Sequence, residues 1–228
     1  METKQITKQN FQKILDTIID KIKSTSPSNK PTLLLHACCA PCSSYVIEYL
    51  SQYFDITILY YNPNIYPQEE YNRRLEELIN FLPKFNPAIQ NNVKLVKLDY
   101  NPQEFYDSIH IKEHPELATE KEKGIRCYNC YEFRLKKAFE YAINNNFDWF
   151  TTTLSISPFK DAEKINDIGK KLEQTISQTR TGAALRSAVR SARTRRTGLR
   201  PLRAPPRPCC ARVLRSTACA WEAAKAAQ

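Results

Sequence analysis

An apolar triplet, Leu33-Leu34-Leu35, runs directly into His36-Ala37-Cys38-Cys39-Ala40-Pro41-Cys42, and this junction restricts the fold more than any other stretch of the chain. A short apolar run that ends at a breaker reads as a strand buried on both faces. Pro41 is tolerated in the first turn of a helix, where its missing N–H would have no partner. Three thiols therefore sit where a buried strand ends and a helix begins. In open α/β sheets that position, beyond the carboxyl end of a strand, is where ligands bind. A second cluster, Cys127-Tyr128-Asn129-Cys130, lies far along the chain with no local partner, and the simplest use of both is one shared site.

The pattern around these clusters is an alternation of strands and helices. Phe11, Ile14, Leu15, Ile18, Ile19 and Ile22 have the spacing of an amphipathic helix within 6–22, and a strand follows over 32–36. A helix is expected over 41–51, a strand over 55–61, and a helix over 68–82 with Tyr71, Leu75, Leu78, Ile79 and Leu82 on its apolar face. Strands over 93–98 and 147–153 flank a short helix over 102–111 and a longer one over 127–145 that carries the CxxC at its beginning. The last helix runs to about Leu172. Strands alternating with helices argue for an α/β fold with a doubly wound, mostly parallel, Rossmann-like sheet.

Composition divides the chain in two. Of 34 Lys and Arg, twelve (eleven of them Arg) lie from Arg180 onward, whereas Glu222 is the only one of the 24 Asp and Glu found there, so the net charge of +10 belongs to the tail and the body is nearly neutral. Residues 179–228 contain no Asn, Asp, Ile, Tyr or Phe. We read 1–178 as one α/β domain, a length within the usual range of about 100–200 residues. We read 179–228 as an Arg/Ala/Pro-rich extension, expected to be disordered for want of apolar surface, in preference to a basic arm for RNA. The first residues, punctuated by Lys4, Lys8 and Lys13, have no apolar core of a signal peptide. No run approaches the ~18 apolar residues of a membrane span. A cytoplasmic location is expected, and there grouped cysteines mean metal or redox chemistry more often than disulfides.

Five motifs in fixed order carry a resemblance: His36 to Cys42; Tyr61-Asn62-Pro63-Asn64-Ile65; Arg126-Cys127-Tyr128-Asn129-Cys130-Tyr131-Glu132-Phe133-Arg134-Leu135; Thr151 to Pro158; and Lys160-Asp161. Over about residues 30–173 the chain resembles epoxyqueuosine reductase of the QueH type. The resemblance implies a HUP-like α/β domain that reduces the epoxide of epoxyqueuosine to queuosine in the anticodon loop of tRNA, the last step of queuosine biosynthesis. It also implies a four-iron four-sulfur cluster on Cys38, Cys39, Cys127 and Cys130, independence from cobalamin, and an external electron donor. The similarity ends near Glu173. A C-terminal cysteine pair of the family is not matched, and Cys209, Cys210 and Cys219 take no role, so an incomplete sheet and impaired turnover are expected.

The residues themselves support a metal or redox site. Four thiolates from two segments suit either an iron–sulfur cluster or a zinc ion with an all-cysteine ligand set. Adjacent Cys38 and Cys39 make an awkward bite for one tetrahedral ion. Cys42 is left over as a catalytic or accessory thiol, or as a ligand of a second, mononuclear metal. Asp161 is a candidate acid, metal ligand or helix N-cap, and His36 a supporting group. Tyr60, Tyr61, Tyr66, Tyr128 and Tyr131 are candidates for base stacking, and Arg126 and Arg134 for phosphate. The alternatives are a noncatalytic zinc-binding RNA module, or a PP-loop-like tRNA-modifying enzyme. The latter would need a glycine-rich cradle after the first strand, where this chain has cysteines.

Overall fold

The computed structural model describes residues 10–25, 29–175 and 212–213 of the chain. Among them five strands form one parallel sheet: β1 (Thr32–Ala37), β2 (Asp55–Tyr60), β3 (Lys94–Lys97), β4 (Trp149–Thr152) and β5 (Arg212–Val213). Their order is β3-β2-β1-β4-β5. The chain starts at the centre, winds outward through β2 and β3, then returns to the other side of β1 for β4. That reversal places the helices on opposite faces and opens a crevice between β1 and β4 at their carboxyl ends.

Strand alternation decides which side chain faces which layer. Leu33 and Leu35 of β1 and Ile56, Ile58 and Tyr60 of β2 pack with α1 (Phe11–Thr25), α2 (Ala40–Leu50), α3 (Gln68–Phe81) and α4 (Asn86–Gln90). Leu34 and Leu59 point the other way, onto α6 (Ile125–Asn144) and the helix over 162–175, here α7. The short α5 (Pro102–Ser108) lies against α6. Leu33, Leu34 and Leu35 are fully buried, and each stabilises the fold by about 1.5–3 kcal/mol through removal from water. In register, Leu33 stands between Ile56 and Trp149, so the apolar triplet is the middle of the sheet.

Several expectations shift. Ile79, expected on the buried face of α3, is 49% exposed. Tyr71, Leu75 and Leu78 already define the stripe, and one further residue turns about 100° away from it. β4 starts at Trp149 and not at 147, because the Asp148 carboxylate accepts from the Thr32 N–H and hydroxyl, both at 2.9 Å, and closes the strand's entrance. The edge of the sheet beside β4 is occupied by two residues of the tail, Arg212 and Val213, paired with Trp149 and Phe150. The remainder of 179–228, and with it the expectation of disorder, lies outside the described residues, as do residues 6–9 of the expected first helix, whose described part begins at Phe11. No helix among the described residues is long and apolar enough to cross a membrane.

Candidate functional site

β1 ends at Ala37, and Cys38 and Cys39 form the turn into α2, with Cys39 at the N-cap and Cys42 in the first helical turn. The sulfurs of Cys38, Cys39 and Cys42 all lie within 4.8 Å of one another, close enough to ligate a common metal ion. Across the crevice, Cys127 and Cys130 occupy the first turns of α6. The amino-terminal ends of two helices thus carry the thiols. Cys38, Cys127 and Cys130 open onto one cavity of about 450 Å³, walled also by Asn64, Arg74, Glu122, Arg126, Tyr131, Arg134 and Lys160. Cys39 and Cys42 adjoin this cavity through Cys38 but are not part of its wall.

Cys38 is the hub of the trio. Hydrogen bonds with the Cys39 and Cys42 thiols hold it well below the ordinary thiol range against the opposing effect of burial, helped by the positive charge of Arg134 and by Thr153. The same hydrogen bonds push Cys39 and Cys42 upward. Cys38 Sγ lies 3.7 Å from Cys39 Sγ and 3.7 Å from Thr153 Oγ1. Thr153 opens the 3-10 turn Thr153–Ile156 at the end of β4 and contacts the hub of the thiol group. The only sequence signal for it is its place in the threonine run at a strand's end.

His36 has no thiol partner. It is fully buried, with Nε2 3.0 Å from the Tyr61 carbonyl and Nδ1 2.9 Å from Thr152 Oγ1. A carbonyl only accepts, so Nε2 carries a proton and donates it to Tyr61. Burial, and then the charge of Arg134, lower its pKa to about 3. His36 therefore ties β1 to β2 and β4 just below the thiols.

Arg134 and Asn62 form the second tie. Asn62 Nδ2 donates to the Ala37 carbonyl at 2.9 Å, and its Oδ1 accepts from Arg134 Nη2. Arg134 Nη1 points at Cys130 Sγ at 4.0 Å. The loop after β2, the end of β1 and α6 are thereby fixed around the cavity. Arg126 secures the preceding loop, donating to the carbonyls of Ala118 and Glu120. The Glu120 carboxylate in turn accepts from the N–H groups of Ile125 and Arg126, which caps α6 and lowers its pKa.

The other expected residues separate by position. Tyr60 is core, its hydroxyl bonded to the Tyr71 carbonyl. Tyr61 is buried against Phe133. Tyr131 is part of the cavity wall, Tyr66 stands 75% exposed next to the wall residue Ile65, and Tyr128 faces outward under Lys171. Asp161 Oδ1 accepts from the Lys164 N–H at 3.1 Å, the geometry of an N-cap of α7, and its other oxygen lies 3.6 Å from Lys164 Nζ. The carboxylate on the cavity wall is Glu122, 3.6 Å from Cys127 Sγ and 3.7 Å from Lys160 Nζ.

The donor set suits a thiolate-ligated metal centre. Three thiols share one cavity, two more adjoin it, and a buried arginine leaves its Nε without a hydrogen-bond partner at the cavity.

The comparisons with known proteins identify the family. Residues 33–196 match the family model of epoxyqueuosine reductase QueH, so the similarity, expected to end near Glu173, continues beyond it. The chain is 38% identical over 167 residues to the epoxyqueuosine reductase QueH of Staphylococcus aureus, covering 73% of this chain and 68% of that protein. It is 41% identical over 142 residues to the one from Streptococcus pyogenes (62% and 54%) and 41% over 150 residues to the one from Acinetobacter baylyi (65% and 64%). The match thus spans about half to two thirds of these relatives' length. All five motifs, and both cysteine clusters that meet at the crevice, lie within the matched residues, and the chain belongs to the epoxyqueuosine reductase QueH family of oxidoreductases.

Proposed function

We propose that this chain reduces epoxyqueuosine to queuosine at the wobble position of tRNA, with Cys38, Cys39, Cys127 and Cys130 holding a four-iron four-sulfur cluster and no cobalamin required. The supporting observation is the cavity onto which Cys38, Cys127 and Cys130 open together, although 89 residues separate the first two in the chain. Removing the epoxide oxygen as water consumes two electrons and two protons and leaves a carbon–carbon double bond. The cluster, when bound, supplies the electrons one at a time from an external donor.

The chain's own residues position and shield. Asn64 Oδ1 is buried without a partner in the fold and belongs to a residue of the cavity wall, where it can accept from a hydroxyl of the substrate's ring. Ile65, Phe105, Ile109 and Leu154 line the apolar part of the same wall and keep water out. Tyr66, exposed and next in sequence to the wall residue Ile65, offers a ring for stacking a splayed anticodon base. Cys42 and Asp161 are the candidate catalytic groups. Cys42, within 4.8 Å of Cys38 and Cys39, is also placed to ligate a second, mononuclear metal beside the cluster, while Asp161 acts as an acid only by leaving its cap.

The test is anaerobic turnover of tRNA carrying epoxyqueuosine with a chemical reductant, followed by nucleoside analysis. Formation of queuosine by the wild-type chain and its loss in Cys38→Ala and Cys127→Ala is expected. Unchanged epoxyqueuosine in a sample with full iron and sulfide content would overturn the assignment.

A further inference from the structure

Arg134 is a buried charge whose partner is not a carboxylate. It is 3% exposed on the inner face of α6. Its guanidinium donates to the neutral amide of Asn62, faces Cys130 Sγ at 4.0 Å, and leaves Nε unsatisfied. Among the described residues no Asp or Glu oxygen lies within 4 Å of it, whereas Arg73, Arg74, Lys137, Lys160 and Lys164 all have such partners. An arginine cannot shed its proton to escape burial. An uncompensated buried charge is strongly destabilising. A fold that keeps this one therefore has an anion to set against it; the one carboxylate of the cavity wall, Glu122, is paired with Lys160 and is not within 4 Å of Arg134, which leaves the cysteine thiolates with whatever they ligate.

We propose that Arg134 is the counter-cation of the thiolate-ligated centre and tunes its reduction potential by favouring the more negative, reduced state. The inference rests on the reading of the cavity as an iron–sulfur site. One-electron reduction adds one negative charge. A fixed cation about 4 Å from a ligand sulfur stabilises the reduced form more than the oxidised one, and the interior screens it less than water would. A hydrogen bond donated to a ligand sulfur acts in the same direction. Asn62, anchored to the end of β1, is the positioning residue that aims the guanidinium.

The experiment is a redox titration of anaerobically prepared protein, monitored by electron paramagnetic resonance, with iron and sulfide determined on every sample. Arg134→Gln is expected to shift the midpoint potential to more negative values with iron content close to wild type, and Arg134→Lys, which keeps the charge but not the fork, to shift it less. Asn62→Asp, which sets a carboxylate against an intact Arg134, is expected to shift it in the same direction and carries the test should Arg134→Gln fail to fold. Wild-type potentials in loaded Arg134→Gln or Asn62→Asp protein would overturn the inference alone. A wild-type chain without iron and sulfide would overturn the proposed function and this inference with it.

Discussion

Cys38 Sγ lies 3.7 Å from Thr153 Oγ1, a contact that joins the carboxyl ends of β1 and β4 across the point where the strand order reverses. Replacing Thr153 by valine keeps the shape and removes the hydroxyl. Only a long 3.7 Å contact with Cys38 Sγ is lost, and a typical hydrogen bond contributes about 1 kcal/mol net, so the unfolding free energy should fall by no more than about that amount. Iron should be lost to an added chelator several-fold faster, and Thr153→Ser should restore the wild-type rate. Equal chelation rates for wild type and Thr153→Val would remove Thr153 from the site.

His36 makes stability depend on pH. Its pKa falls from 6.5 in the unfolded chain to about 3 in the folded one, chiefly through burial, so between those values the unfolded state binds the extra proton. Its contribution is fully present above pH 6.5 and is lost as pH falls toward 3, at up to about 1.4 kcal/mol per unit. Metal-free wild type should lose stability between about pH 7 and 5, and His36→Gln should show a shallower slope over the same range. Parallel slopes would show that His36 is not the titrating group.

Glu120 and Gly124 act as a pair. A Cβ on Gly124 would stand 2.2 Å from the Glu120 side-chain carboxyl carbon, whose oxygens cap α6 through Ile125 and Arg126. Gly124→Ala and Glu120→Ala should lower the unfolding midpoint by similar amounts, and the double variant should be little worse than either, because both remove one cap. Additive losses would show two independent effects.

Asp161 is separable as cap and as acid. Asparagine caps a helix about as well as aspartate, so Asp161→Asn should leave the unfolding midpoint within about 0.5 kcal/mol of wild type. Loss of a general acid slows turnover by about 10² to 10⁴-fold, and a drop of that size is expected. Wild-type turnover would leave Asp161 as the cap of α7 alone.

The sheet was legible because Leu33-Leu34-Leu35 and Asp55-Ile56-Thr57-Ile58-Leu59-Tyr60 read as buried strands, and the thiols placed a site beyond the carboxyl end of the first of them. Both cysteine clusters fall where their positions at helix beginnings indicated. The network between them was not legible. Local pattern cannot reveal that Asn62 reaches both Ala37 and Arg134, or that His36 bonds to Tyr61 and Thr152 instead of a thiolate. Such contacts span 25 to 116 residues of sequence and exist only after the strands are aligned. Arg134, a phosphate contact by sequence alone, is buried at the cavity beside Cys130, a placement that helix periodicity does not distinguish from a solvated one.

Iron, sulfide and zinc content of anaerobically purified protein, with a visible spectrum, for wild type, Cys38→Ala and Cys127→Ala, tests the shared site most directly. The account predicts about four irons and four sulfides per wild-type chain, with a broad thiolate-to-iron absorbance, and loss of both in each variant. One zinc and no sulfide, or a cluster retained in Cys127→Ala, would contradict it.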